Sequence, residues 1–320
     1  MSEKWVAVSD DRHGDYSIEK DILSAAGIEL RIFNCMTEDD LIALCGDADG
    51  ILLDMAPMGA RAVAGLKKCR VINRYGVGYD NVDVAACTQK GIQVTNVPDY
   101  CAEDVSDHAI ALLFSALRQT ALRDRLIRAG EWNIRRAKSY RVAGKTLGVL
   151  GGGRIARTLI KKMSGFGLGR IMVYDPYVPA EVFEELGAHK AELAEVLSEA
   201  DFLSLHMPVT DETRGMINDE TLALMKPEAI IVNTGRGPLI NDEALIRALR
   251  AGKIGFAALD THNREPLGAD SPYMALDNVV LTDHTAYNTE EAVVELKTKS
   301  AENVRDALTG RTPKYLVNKI

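Results

Sequence analysis

Three segments in the second half of the chain each run from apolar residues into polar side chains that could do chemistry together. Arg236 lies in VNTGRG, Glu265 in ALDTHNREP and His284 in LTDHTAY. A guanidinium binds a carboxylate through two parallel hydrogen bonds, and a carboxylate beside an imidazole stabilises the imidazolium, which can then donate a proton. These residue types predict a site that binds an anionic group and moves a proton.

Taken singly, each of the three residues also has a structural explanation. Arg236 fits a surface ion pair, Glu265 a loop charge and His284 a hydrogen-bonded core histidine. Their joint placement favours a site, because each residue follows a predicted strand and the ligands of open α/β sheets bind outside the carboxyl ends of strands. We therefore expect the three side chains at one edge of one sheet.

A glycine-rich turn lies earlier in the chain, in TLGVLGGGRIARTLI. Gly151, Gly153 and Ala156 occupy the places of a G-x-G-x-x-G/A pattern, which needs a tight turn, close approach of a pyrophosphate and a small residue where helix meets strand. An apolar run before it and a helical pattern after it favour dinucleotide binding, although glycine-rich turns also occur in ordinary loops. The pattern gives no reason for Gly152.

The residues after the turn predict which dinucleotide binds. Arg154 and Ile155 begin the predicted helix, whose first backbone amides can bind the pyrophosphate. Asp175 ends the next predicted strand 24 residues after Gly151 (175 − 151), near the spacing expected for the carboxylate that accepts hydrogen bonds from a ribose 2′-hydroxyl. Because such a carboxylate repels a 2′-phosphate, we predict NAD as the cofactor in preference to NADP.

Composition restricts the class of protein. The 320 residues carry a formal charge of −8, with 47% hydrophobic and 26% charged residues, which suits a globular protein and disfavours nucleic acid or an anionic membrane as partner. No leader-like segment or long apolar run is visible, so we expect a cytoplasmic protein.

The five cysteines show no C-x-x-C spacing and are expected to be buried thiols. His262 and Glu265 have H-x-x-E spacing without a third ligand, so no metal is predicted.

Short apolar runs alternate with helical patterns throughout, which indicates an α/β fold with parallel sheets. Five strands are predicted in the first hundred residues, one long helix from Ala102 to Gly130, six further strands, and a last helix over 289–308. We predict two doubly wound domains: a Rossmann-type dinucleotide-binding domain over 102–286, inserted into a flavodoxin-like substrate domain formed by 1–101 and 287–320.

These motifs resemble the NAD-dependent D-2-hydroxyacid dehydrogenases over nearly the whole chain. Within that family, the segment 218–254 and the tail LTGRTPKYLVNK are most similar to the carboxy-terminal-binding-protein branch, which includes enzymes and transcriptional corepressors. The motifs that carry the resemblance, in the family's order, are RYGVGYDNVD, NVP at 96–98, GGGRIA, YDPY, NTGRG, ALD followed by EP, and DHTA.

The resemblance implies roles for these residues. Arg236 would bind the substrate carboxylate, His284 would be the acid in reduction and the base in oxidation, and Glu265 would orient and charge the imidazole. The remaining implied contacts are His206, Thr234 and Asp260 near the nicotinamide, and the backbone amides of Val77 and Gly78 at the carboxylate.

The predicted function is therefore hydride transfer between NAD(H) and C2 of a small 2-oxo or 2-hydroxy acid, with D stereochemistry and a homodimeric assembly implied by the resemblance. Two alternatives stay open: an NAD-sensing, corepressor-like binding protein, and a phosphoglycerate dehydrogenase. Residues 52–58, Tyr75 and Tyr100 suggest an apolar, aromatic pocket around the substrate's C3 group.

Overall fold

A computed structural model describes residues 4–320 of the chain. Two compact units divide it, one extending to Tyr100 and including Thr289–Ile320, the other spanning Cys101–Asn288. The boundaries between the units lie at 100/101 and 288/289. The sequence predicts these boundaries at 101/102 and 286/287. The substrate-binding role assigned to the first unit stays a prediction.

The first unit contains a five-stranded parallel sheet with helices between its strands. Its strand order is β2-β1-β3-β4-β5, the flavodoxin-like order, and all five strands predicted in this half of the chain are present. The strands are β1 (Lys4–Val8), β2 (Ile28–Ile32), β3 (Gly50–Leu53), β4 (Val71–Arg74) and β5 (Gln93–Thr95), and the helices are α1 (Ser17–Ser24), α2 (Glu38–Cys45), α3 (Ala60–Gly65), α4 (Val84–Gln89) and α12 (Glu290–Thr309).

Local signals in the sequence set the ends of these helices. Thr37 and Asp40 form a reciprocal capping box at the start of α2. The hydroxyl of Thr289 caps α12, and Gly310, with φ of 85°, ends it in the left-handed conformation that glycine adopts without strain. The predicted last helix over 289–308 is therefore confirmed, and it packs on α1 in the first unit.

The second unit contains a seven-stranded parallel sheet of order β12-β11-β10-β9-β6-β7-β8, which is the Rossmann order with β12 added at one edge. The six predicted strands are confirmed, and the sequence missed β8, a two-residue edge strand too short to show a period. The strands are β6 (Thr146–Leu150), β7 (Arg170–Tyr174), β8 (His189–Lys190), β9 (Phe202–Leu205), β10 (Ile230–Asn233), β11 (Phe256–Leu259) and β12 (Val279–Leu281).

The long helix predicted between Ala102 and Gly130 is two helices, so that prediction is wrong. Gln119 adopts a left-handed conformation with φ of 55° and is 7% exposed, which ends one helix and begins the next. A glycine at this position would have signalled the break. The helices of this unit are α5 (Ala102–Arg118), α6 (Thr120–Arg128), α7 (Arg154–Met163), α8 (Glu181–Glu184), α9 (Leu193–Glu199), α10 (Asp219–Leu224) and α11 (Asp242–Arg250).

The five cysteines are all buried and free, as the sequence predicts. Across residues 4–320 no helix has the length and apolar character needed to cross a membrane. In the same range, no three histidine, cysteine or acidic side chains come close enough together to hold a metal ion. The imidazole of His262 instead lies 2.8 Å from the carbonyl oxygen of Thr282.

Candidate active site

The three predicted catalytic residues lie at one edge of the seven-stranded sheet. Arg236 follows β10, Glu265 follows β11 and His284 follows β12, and these three strands are neighbours in the sheet. Parallel strands bring their carboxyl ends to the same edge. The prediction that the three segments meet at one edge of one sheet is therefore confirmed.

Glu265 and His284 form a hydrogen-bonded pair. Nδ1 of His284 lies 2.8 Å from Oε2 of Glu265, and the other carboxylate oxygen accepts from the backbone amide of His262 at 2.9 Å. Burial alone would raise the pKa of Glu265, but the hydrogen bonds from His284 and His262 reverse this and hold its pKa below the usual value. The carboxylate stays ionised, so it can stabilise an imidazolium and orient the ring with Nε2 directed away from it.

The loop that carries His284 is held by Asp260. His284 has a positive φ of 58°, which is strained for a residue other than glycine. Its amide donates to the carbonyl oxygen of Asp260 at 2.8 Å, and the Asp260 carboxylate accepts from Thr282 Oγ1 at 2.6 Å and from the amides of Thr285 and Ala286 at 3.0 and 3.1 Å. These bonds fix the backbone on both sides of the strained position.

The buried Asp260 carboxylate stays charged for the same reason. Burial works to raise its pKa, yet hydrogen bonds from His108, Thr282, Thr285 and Ala286 lower the pKa to about 2. The sequence analysis placed Asp260 at the nicotinamide, and that contact stays a prediction. The contacts within the protein show that this carboxylate anchors the loop of His284.

His108 belongs to the same network, and the sequence analysis missed it. Its Nε2 lies 3.1 Å from Thr282 Oγ1 and 3.4 Å from Asp260 Oδ1. The residue lies in the middle of α5, more than 150 positions from its partners, where a polar residue on an amphipathic helix carries no signal of its own. Only the packing of α5 on β11 and β12 reveals the contact.

The turn that carries Arg236 is organised by Asn233. The buried Asn233 side chain donates to the Arg236 carbonyl oxygen at 2.9 Å and accepts from the Gly235 amide at 3.0 Å. Gly237 packs against the backbone of His262, where a Cβ would lie 2.0 Å from the carbonyl carbon. A larger residue at 237 would therefore push the Arg236 turn away from the loop after β11.

The structure explains the three consecutive glycines. Gly151 has φ of 95°, and a Cβ on it would lie 2.8 Å from the carbonyl oxygen of His206. A Cβ on Gly152 would lie 2.3 Å from the ring of Phe183, so the glycine that the pattern left unexplained is required by packing. At Gly153 a Cβ would meet no atom within 4 Å, which leaves the backbone open to close approach by a ligand.

The surroundings of this turn fit a dinucleotide. Gly153 caps α7 without a side chain, so no side chain competes for the first amides of the helix at Arg154 and Ile155, and Ala156 is fully buried against the sheet. Asp175 accepts from the Gly152 amide at 2.7 Å. Burial opposes ionisation of Asp175, but the backbone hydrogen bonds from Val178, Gly152 and Tyr177 hold its pKa below the usual value, so the charge needed to exclude a 2′-phosphate is present.

Two further predicted cofactor residues lie near the same sheet edge. The Thr234 hydroxyl is buried, and within residues 4–320 its Oγ1 has no hydrogen-bond partner, which suits a contact with a bound molecule. His206 lies 2.8 Å from Ser204 Oγ through Nε2, and burial lowers its pKa to about 4, so it is neutral near pH 7. The contacts of Thr234 and His206 with the nicotinamide stay predictions.

Val77 and Gly78, the predicted carboxylate-binding amides, lie in the first unit after β4. Val77 is 36% exposed, and its carbonyl oxygen accepts from the Asn96 side chain at 2.7 Å. Gly76 has φ of 130°, which gives the loop its turn. The loop is thus an ordered backbone segment, and its contact with a substrate stays a prediction.

Comparisons with known proteins agree with this architecture. Residues 110–286 match the family described as D-isomer specific 2-hydroxyacid dehydrogenase, NAD binding domain. The D-3-phosphoglycerate dehydrogenase of Methanocaldococcus jannaschii is 39% identical over 315 residues, which are 98% of this chain and 59% of that protein. The chain thus spans less than two thirds of the length of that relative. The glyoxylate reductase of Korarchaeum cryptofilum is 40% identical over 266 residues, covering 82% of this chain and 80% of that protein.

Solved structures give the same result. The D-lactate dehydrogenase of Aquifex aeolicus, complexed with NAD and lactic acid, is 25% identical and superposes with a TM-score of 0.86 over 98% of this chain and 99% of that one. A glyoxylate reductase from Paecilomyes thermophila is 29% identical, with a TM-score of 0.89 over 99% of both chains. The chain therefore belongs to the D-isomer specific 2-hydroxyacid dehydrogenase family, and residues 110–286 form its NAD-binding domain.

Proposed function

We propose that the protein transfers hydride between NAD(H) and C2 of a small 2-oxo or 2-hydroxy acid, with D stereochemistry. The observation that carries this proposal is the 2.8 Å contact between His284 and Glu265, at the sheet edge that Arg236 shares. An imidazole paired with a carboxylate, at the same sheet edge as a guanidinium, suits a substrate with a carboxylate next to a carbonyl group.

Each residue of the proposed site has one task. Arg236 binds the substrate carboxylate. His284 donates a proton from Nε2 to the carbonyl oxygen during reduction and accepts it during oxidation, while Glu265 holds Nδ1 and stabilises the imidazolium. The bound cofactor supplies or accepts the hydride.

The names of the relatives support the substrate class. The similar proteins include glyoxylate reductases, D-3-phosphoglycerate dehydrogenases and a D-lactate dehydrogenase. The substrate in each of these names is a small acid that carries oxygen at C2. The alternative of a phosphoglycerate dehydrogenase lies within this class. The corepressor-like branch has no specific support among these relatives and stays a prediction of the sequence.

We also propose a homodimer in the cytoplasm. Trp132 is 91% exposed and Ile134 is 82% exposed, and Ile127 nearby is 52% exposed, which supports burial of the segment after α6 in an assembly. Sγ of Cys35 and Sγ of Cys45 lie 3.9 Å apart as free thiols, in keeping with a reducing compartment.

The proposed activity is tested by following NADH oxidation with glyoxylate, hydroxypyruvate, pyruvate and bulkier 2-oxo acids. We expect turnover of at least one of them, and its complete absence would refute the proposal. The variant Arg236→Lys should raise KM for the oxo acid by about 10- to 100-fold, because lysine cannot form the bidentate pair. Arg247→Lys, at a half-exposed arginine, is the matched control. A loss of NADH affinity in Arg236→Lys would show that Arg236 is misassigned.

A further inference from the structure

His262 contacts both of the segments that carry the pair of Glu265 and His284. Its backbone amide donates to Oε1 of Glu265 at 2.9 Å, which gives the H-x-x-E spacing of the two residues a structural meaning. Its ring nitrogen Nε2 lies 2.8 Å from the carbonyl oxygen of Thr282, two residues before His284 in the loop after β12. One residue therefore holds the carboxylate of the pair and also the segment that carries the imidazole.

The turn that carries Arg236 packs against the same residue. A Cβ on Gly237 would lie 2.0 Å from the carbonyl carbon and 2.2 Å from the carbonyl oxygen of His262, so the two backbones leave no room for a side chain between them. The side chain of Asn263 donates to the carbonyl oxygen of Ile240 at 3.0 Å and ties the two loops together. All three strand-end segments of the proposed site therefore meet the loop at His262.

The contact between the His262 ring and Thr282 has a defined donor. A carbonyl oxygen can only accept, so Nε2 of His262 carries the hydrogen and donates it to Thr282. His262 is 9% exposed, and within residues 4–320 its Nδ1 is a buried atom without a hydrogen-bond partner. A phenylalanine ring would fill similar space without that unsatisfied nitrogen, so the bond to Thr282 is what the histidine adds.

This bond holds a part of Thr282 that the network around Asp260 leaves to it. The Thr282 hydroxyl donates to Asp260 at 2.6 Å and lies 3.1 Å from Nε2 of His108, which fixes the side chain. The bond from His262 fixes the carbonyl group, and with it the planar peptide group that leads on toward His284.

The strained backbone of His284 makes this restraint important. Its φ of 58° is a sparsely populated conformation, which persists only where several contacts hold the chain around it. Without the bond from His262, the segment before His284 would have one restraint fewer, and the imidazole could shift relative to Glu265 while the unit stayed folded.

We infer that His262 is a positioning residue for the proton transfer, and that it sets the imidazole of His284 relative to Glu265 by holding both loops at once. The inference rests on the proposed function and extends it to a residue that acts through the acid–base pair. Displacements of about 1 Å in such a pair can slow a reaction by about 10²-fold, so a single buried hydrogen bond can have a large effect on rate.

The test compares side chains at position 262 that can and cannot donate to Thr282. His262→Phe removes the donor, whereas the amide nitrogen of glutamine in His262→Gln lies as many bonds from the backbone as Nε2 does. The measurement is the single-turnover rate of NADH oxidation with the best oxo acid found, in which product release plays no part. We expect His262→Phe to slow this rate by about 10- to 100-fold and His262→Gln to stay within about threefold of wild type.

Two binding measurements distinguish positioning from a general loss of structure. KM for the oxo acid and the dissociation constant of NADH should stay within about threefold of wild type in both variants, because the contact serves the chemical step. His262→Asn, whose amide is one methylene shorter and cannot reach the carbonyl, should be as slow as His262→Phe, and it makes the same comparison with a polar side chain if His262→Phe does not fold.

Tyr273→Phe is the matched control. It removes another buried hydrogen bond of the same unit, the one that the Tyr273 hydroxyl donates to Asp242 at 2.9 Å. This variant should unfold at a lower urea concentration than wild type and keep the wild-type single-turnover rate.

The outcomes separate this inference from the function on which it rests. Wild-type rates in His262→Phe and His262→Asn would overturn the inference, as would a His262→Gln variant as slow as these two. A loss of NADH affinity that parallels the loss of rate would also overturn it, because the role would then be structural. In each of these cases the wild type still turns over and the proposed function stands. If the wild type turns over no 2-oxo acid, the proposed function fails and this inference falls with it.

Discussion

Two buried aspartates, one in each unit, stand at the carboxyl edge of a parallel sheet and have opposite surroundings. Asp260 accepts hydrogen bonds from Thr282, Thr285 and Ala286, at distances between 2.6 and 3.1 Å. Asp54 is almost as deeply buried, yet its nearest charged partners stand 3.8 to 3.9 Å away. The first carboxylate is satisfied by its own chain, whereas Oδ2 of Asp54 has no hydrogen-bond partner among residues 4–320.

The difference affects how firmly each carboxylate fixes the loop around it. The satisfied Asp260 carboxylate gives the loop a single geometry and holds His284 at its strained φ. A fixed position of the imidazole is what proton transfer over a short distance requires. The unsatisfied polar atoms around Asp54 cost stability, because a buried donor or acceptor without a partner loses its hydrogen bonds to water. The two sheet edges thus differ in how well the hydrogen bonds of their buried charges are satisfied.

The largest expected effect comes from the residue that the satisfied network positions. His284→Ala should lower kcat by about 10²- to 10⁴-fold, the range of general acid–base catalysis. The measurement is steady-state NADH oxidation with the best oxo acid found. His189→Ala, at an exposed histidine of the same unit, is the control and should keep the wild-type rate. An unchanged rate in His284→Ala would remove it from the mechanism.

The next largest effect is expected at Asp260 itself and depends on pH. Because the folded-state pKa is lowered from 3.8 to about 2, Asp260 contributes stability that is fully present above about pH 4 and is lost as pH falls toward 2. Asp260→Asn should therefore lose about 2 kcal/mol of unfolding free energy at pH 7, and the difference from wild type should shrink between about pH 4 and 2.

The measurement is urea unfolding of the whole chain across this pH range. Asp277→Asn, at an aspartate whose side chain is 53% exposed and pairs with the exposed Arg125 and Arg136, is the matched control, and it should change stability by less than about 1 kcal/mol. A loss in Asp260→Asn that stays constant down to pH 2 would show that the network does not stabilise the ionised carboxylate.

The fold could be predicted from the sequence because periodic apolar runs and caps are local. All the longer strands follow from such runs, whereas β8 has two residues and no period. The break at Gln119 was missed because a non-glycine residue in the left-handed conformation leaves no mark in the sequence. These features are decided by tertiary packing.

The residues of the candidate site also fall into two groups: those that the sequence indicates and those that only tertiary packing reveals. Arg236, Glu265 and His284 could be found because each follows a strand of one parallel sheet, so chain order fixes their place. His108 could not be found, since its partner Thr282 lies 174 positions away in the chain. The charged side chains around Asp54 also follow strands of one sheet, but they were missed because the sequence analysis expected an apolar, aromatic lining from residues 52–58, Tyr75 and Tyr100.

The smallest expected effect is on the unfolding free energy when the arginine beside Asp54 is replaced, and it tests whether the contacts of Asp54 stabilise the fold less than those of Asp260 do. Arg74→Met replaces a largely buried guanidinium, whose Nε has no hydrogen-bond partner among residues 4–320, by an apolar side chain of similar length. Removing one partner of a buried ion pair leaves the other charge uncompensated and is usually destabilising, but Arg74 stands 3.9 Å from Asp54 and Arg12 remains beside that carboxylate, so we expect the unfolding free energy to change by less than about 1 kcal/mol. Urea unfolding of the whole chain measures this, with Arg311→Met as the exposed control. A loss of more than about 2 kcal/mol would mean that Arg74 stabilises the fold as a satisfied partner, and that the two sheet edges do not differ in the way their contacts indicate.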